Sequence, residues 1–60
     1  YSNDTSILDF DEKYDYAEYY IDDAEYTKAI EIYEELLQER PNDMDIHFRI
    51  GFCYLFTDLF

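Results

Sequence analysis

Sixty residues are at most one small domain, and a chain this short buries only about 60% of its unfolded surface. Sixteen acidic against four basic residues give a formal charge of −12, a field that repels nucleic-acid phosphates and anionic membranes and steers basic partners. With 48% hydrophobic and 22% aromatic residues the composition is that of a packed fold rather than a disordered acidic tail.

Residues 1–9 open with Tyr-Ser-Asn-Asp-Thr-Ser, which has no periodicity and reads as a tail or cap. The start is polar and acidic, unlike a signal peptide. Ser6 or Asp9 can cap a first helix, and Asp9 with Glu12 has the spacing of a capping box. From Phe10 the apolar positions Phe10, Tyr14, Tyr16, Ala17, Tyr20, Ile21 and Ala24 recur at helical intervals, which predicts a helix over 10–23. Asp22-Asp23-Ala24-Glu25 ends it, because acids at a helix C-terminus oppose the dipole.

A second helix is predicted over 26–39, with Tyr26, Ala29, Ile30, Tyr33, Leu36 and Leu37 on one stripe. Lys28, Glu31, Glu34, Glu35 and Gln38 face solvent, and Lys28 can pair with Glu31. Pro41 disfavours helical geometry at Arg40 and stops the helix there. Asn42-Asp43 then caps a third helix, over 43–57, that is apolar nearly all round from Ile50 onward. Such a helix is normally covered on several sides. Its longest apolar run, Ile50 to Phe56, is far too short to cross a bilayer.

The chain also echoes itself at an offset of 34 residues: Asp11, Lys13, Tyr14, Tyr16, Ala17, Tyr20, Ile21 and Tyr26 recur as Asp45, His47, Phe48, Ile50, Gly51, Tyr54, Leu55 and Phe60. A fixed period of this length marks a helical hairpin that buries its apolar face by stacking on neighbours. Lys13-x2-Tyr16-Ala17-x2-Tyr20…Ala29-x3-Tyr33…Pro41, followed by His47-x2-Ile50-Gly51-x2-Tyr54, resembles the tetratricopeptide repeat family over residues 10–60, about one and a half repeats. Lys13 and His47 stand where that family prefers Trp, and Ala24 stands where its interhelical turn often has Gly. The expected fold is therefore all-α: a helical-hairpin repeat, a fragment of an α–α superhelix, in three helices. Residues 10–43 form the first repeat, and residues 44–60 supply the first helix of a second, incomplete one. Ala17, Ala29 and Gly51 are expected to be small because helices cross closely there, with Tyr16, Tyr20, Tyr33 and Ile50 filling the space around them.

In the family the first helix of each hairpin lines a concave groove. The resemblance places Asp11, Tyr14, Glu18, Ile21 and Asp22, then Asp45, Phe48, Phe52, Leu55 and Phe56, in that groove, acidic at one end and aromatic at the other. Some relatives hold a peptide's terminal carboxylate with Lys and Asn; Tyr14, Glu18, Phe48 and Phe52 occupy the corresponding places here, so that clamp is absent. The implied function is non-catalytic protein–protein interaction, as a scaffold, adaptor or chaperone-like array. Its partner would be a basic or amphipathic peptide segment.

Other chemistries are weak in this sequence. Asp22, Asp23 and Glu25 lack the Gly and the ligand series of a calcium loop and read as a solvated turn. His47 and Cys53, six residues apart, fall on different helix faces, and no Ser/His/Asp set or Gly-rich phosphate loop is present. We expect no enzyme activity, no metal, no cofactor, no nucleic acid and no membrane as partner. The lone Cys53 excludes an internal disulfide and suggests a reducing, cytoplasmic setting. The start at Tyr1 and the stop after Leu59-Phe60 suggest a piece of a longer protein. Two alternatives stand beside the groove: an acidic mimic of nucleic acid that occupies a basic protein's site, and a regulatory repeat segment of a larger enzyme. The aromatic run Phe48, Phe52, Leu55, Phe56, Leu59, Phe60 also suggests a homodimer in which third helices cover one another.

Overall fold

A computed structural model describes residues 8–57. It contains three helices in chain order: α1 (Phe10–Asp22), α2 (Tyr26–Glu39) and α3 (Met44–Thr57). The tail before Leu8, with the Ser6 cap, and the Leu59-Phe60 end, with the Tyr26–Phe60 echo, lie outside the described residues.

α1 and α3 begin where side chains satisfy free backbone N–H groups. Asp9 Oδ1 accepts from the Glu12 N–H at 2.9 Å, and Glu12 Oε1 accepts from the Asp9 N–H at 3.4 Å, a reciprocal capping box. Asp43 Oδ1 accepts from the N–H groups of Asp45 at 3.0 Å and Ile46 at 3.3 Å, so α3 starts one residue later than expected. Glu25 precedes α2 without a side-chain cap. Its carboxylate instead holds Lys28 at 3.1 Å, in place of the expected Lys28–Glu31 pair.

α1 closes with a Schellman arrangement. The Glu25 N–H donates to the Tyr20 carbonyl at 2.7 Å and the Ala24 N–H to the Ile21 carbonyl at 3.0 Å. Ala24 takes a φ of 60° to make this turn. Left-handed geometry suits glycine, and an L side chain there costs about 1 kcal/mol. The turn thus takes left-handed geometry at a residue other than glycine.

α1 and α3 both pack on α2, so α2 is the middle helix. The buried core is Ala17 from α1; Ala29, Ile30, Ile32, Tyr33 and Leu36 from α2; and Ile46, Ile50 and Cys53 from α3. Ala17 and Ala29 are fully buried, as expected for close helix crossings. Ile32, absent from the expected stripe, is buried because α2 is covered on two sides. Tyr33 and Ile50 fill the core as expected, and Tyr20 is half-buried, but Tyr16 is 40% exposed. Burial raises the pKa of the Cys53 thiol above its ordinary value.

Gly51 departs from expectation. It is exposed, and a Cβ built on it meets nothing within 4 Å, because its face of α3 turns away from α2. Among the described residues no helix crossing requires glycine there.

Ala24 and Gly51 therefore sit at each other's preferred environments. Ala24→Gly and Gly51→Ala should each raise unfolding free energy by about 0.5–1 kcal/mol in urea titrations, the first by relieving left-handed strain, the second by helix propensity. A loss of stability on Gly51→Ala would mean that the α3 face is occupied.

A recess between the first and third helices

α1 and α3 stand side by side on α2, and a recess of about 320 Å³ opens between them. Glu18, Ile21 and Asp22 line it from α1, and Asp45, Phe48, Arg49 and Phe52 from α3. Ile21 and Asp22 are carried on the last turn of α1. Phe48 and Phe52 lie one turn apart on α3, and Phe48 is 72% exposed.

Arg49 organises this recess. Its Nη1 reaches Glu18 Oε2 at 3.3 Å and the Tyr33 hydroxyl at 3.4 Å, and its Nε donates to both Asp45 oxygens at 3.3 and 3.4 Å. The guanidinium also lies over the Tyr14 ring, 4.9 Å from its centroid. The Tyr14 hydroxyl donates to Asp45 Oδ2, a second polar tie between α1 and α3. Tyr14 packs edge-on against Tyr33 with centroids 5.9 Å apart. One cation thus touches all three helices, and it binds two of the carboxylates that the sequence suggested for a ligand.

Of the residues placed in the groove from sequence, Glu18, Ile21, Asp22, Asp45, Phe48 and Phe52 come together in the recess. Tyr14 stands beside it, tied to Asp45. Asp11 is exposed and does not line it, nor does Leu55, which is exposed on α3. Phe56 stacks on Tyr26 at 5.1 Å and tilts against Phe52 at 4.9 Å. It therefore reaches over the N-terminus of α2 and lines a separate recess there. Arg49 escaped the sequence reading because it interrupts an apolar helix and has no echo in α1, where Asp15 stands at the equivalent offset. The signal available was its i,i+4 spacing from Asp45.

His47 is exposed, with Nε2 at 2.8 Å from the Pro41 carbonyl oxygen, whereas Cys53 is buried, so the two do not form a pair. Among the described residues no group of three or more His, Cys, Asp or Glu side chains is placed to hold a metal ion. No helix among them is long and apolar enough to cross a membrane.

Burial, reinforced by the hydrogen bond to Asp45, drives the Tyr14 phenol pKa well above its ordinary value, and burial also raises that of Tyr33. The folded state therefore holds these protons while the unfolded chain releases them near pH 10, so stability is full below that pH and falls as pH rises through it. Tyr14→Phe should flatten this alkaline decline in urea midpoints followed by circular dichroism between about pH 9 and 11. Parallel declines in the two proteins would contradict the placement of Tyr14.

A family model described as tetratricopeptide repeat matches residues 10–53. Neither the curated proteins nor the solved structures contain a match to the chain. The matched span runs from the start of α1 to Cys53 on α3, so it covers the whole hairpin, the Schellman turn, the Pro41 stop and every residue that lines the recess. The 34-residue echo, the three helices stacked through α2 and this match agree: the chain belongs to the tetratricopeptide repeat family.

Proposed function

We propose that the recess between α1 and α3 binds a peptide segment that inserts an apolar side chain between Ile21, Phe48 and Phe52 and sets a Lys or Arg against Asp22. Tetratricopeptide repeats are protein–protein interaction modules, and in that setting residues 10–43 act as one repeat and 44–60 as the opening part of the next. The observation that carries this reading is the composition of the recess itself. Its apolar floor is open, and Arg49 already neutralises much of Glu18 and Asp45, which leaves Asp22 as the carboxylate with no ion pair among the described residues. Apolar contact then supplies most of the affinity, and charge supplies orientation. A mimic of nucleic acid is less well supported, because its carboxylates would need to be free.

The test is a random peptide library displayed on phage and panned against the chain. Enriched peptides should pair an aliphatic or aromatic residue with Lys or Arg. Phe52→Ala should weaken a selected peptide about tenfold or more, and Glu34→Gln on the far helix less than twofold. Acidic peptides, or equal losses from the two variants, would contradict the assignment.

A second copy of the chain is the other occupant that a specific observation favours. Met44, Phe48, Leu55 and Phe56 are all more than half exposed, yet the charged residues of α3, Asp45 and Arg49, pair with each other at 3.3 Å. In a chain of −12, two copies meet with least repulsion through this helix. Sedimentation equilibrium should then show a dimer at micromolar concentration that selected peptides dissociate. A monomer at all concentrations would remove this reading and leave the peptide site standing.

A further inference from the structure

A different face of α1 carries a cluster that the recess does not use. Tyr16 and Tyr19 are 40% and 62% exposed, with ring centroids 6.4 Å apart and planes at 76°. Tyr20 packs behind both, at 5.5 and 5.8 Å. With Leu8, Glu12 and Asp15 the two outer tyrosines line a shallow, open hollow of about 550 Å³.

The chain shows how it handles its own cations. Lys28 is held by Glu25 at 3.1 Å and lies 5.6 Å from the Tyr20 ring centroid. Arg49 is held by Glu18 and Asp45 and lies over Tyr14. Arg40 lies over the Phe10 ring, its Cζ 3.7 Å from the centroid, and Lys13 reaches Glu39 at 3.9 Å. These four are all the lysines and arginines in the sequence, and each is engaged. The Tyr16–Tyr19 hollow repeats the same pairing of aromatic ring and carboxylate without a lysine or arginine of its own. Asp15 is in no ion pair among the described residues.

We propose that Tyr16, Tyr19, Glu12 and Asp15 form a second contact site, which takes the alkylammonium group of a lysine on a protein partner. Ring faces attract a cation through the aromatic quadrupole, and adjacent carboxylates add Coulomb attraction. Two rings near 76° offer a compact ammonium two walls at once. A flat guanidinium would stack on one face only. The site is separate from the α1–α3 recess and stands whether or not the recess binds a peptide.

The experiment is a titration of the chain, at constant ionic strength, with acetyl-Gly-Lys-Gly-amide and with the same peptide carrying norleucine, the neutral isostere. Aromatic carbon-detected shifts of Tyr16 and Tyr19 are followed by NMR. The lysine peptide should bind about threefold or more tightly than its norleucine counterpart, with the largest shifts at these two rings. Tyr19 is exposed, so its variants keep the fold. Tyr19→Leu should weaken binding about two- to fivefold, Tyr19→Phe should retain it, and Asp15→Asn should weaken it about twofold. Phe52→Ala should leave these shifts unchanged. Equal binding of the two peptides, shifts spread evenly over the acidic surface, or equal losses from Tyr19→Leu and Tyr19→Phe would overturn the assignment.

Discussion

The burial of α2 on two faces is the constraint from which the rest of the structure follows. Ala29, Ile30, Ile32, Tyr33 and Leu36 are closed off because α1 covers one side and α3 the other. Neither outer helix has comparable cover: α1 buries only Ala17, and α3 buries Ile46, Ile50 and Cys53. Once both pack on the same helix they stand beside each other, and the groove between them follows from that placement. Tyr33 joins the two relations, since its ring is fully buried in the core and its hydroxyl meets Arg49 at the edge of the groove.

Electrostatics then sets the character of the groove. A chain of −12 suggests an acidic trough, but Arg49 ties Asp45 and Glu18 into one network with Tyr14 and Tyr33. Each exposed ion pair contributes about 1 kcal/mol or less. The network's value therefore lies less in stability than in holding α3 in register against α1. It also leaves the floor of the groove apolar, lined by Ile21, Phe48 and Phe52, with Asp22 at one end.

The fold was readily legible because repeat spacing, capping residues and Pro41 all point to the same three helices. Asp9 and Asp43 mark their helix starts through short-range chemistry that sequence displays directly. What stayed hidden depended on tertiary placement. Ile32 lies outside a one-sided stripe and is buried only because α2 has two neighbours. Gly51 is small for no crossing among the described residues, and Tyr16 is exposed although its spacing matches a packing position. Six of the ten groove residues converge in the recess, although among them only Glu18 and Phe52 are repeat equivalents of each other. Phe56 leaves the group because Tyr26 offers it a ring to stack on, and Arg49 joins it without any equivalent in α1.

The account rests on α3 lying in register beside α1 across α2. Nuclear Overhauser contacts in solution measure this directly at both ends of α3. The Tyr14 ring should show contacts to the Arg49 side chain, 4.9 Å away, and the Tyr26 ring to Phe56, 5.1 Å away. Their absence in a chain whose Tyr14–Tyr33 contact is intact would place α3 elsewhere and dissolve the groove.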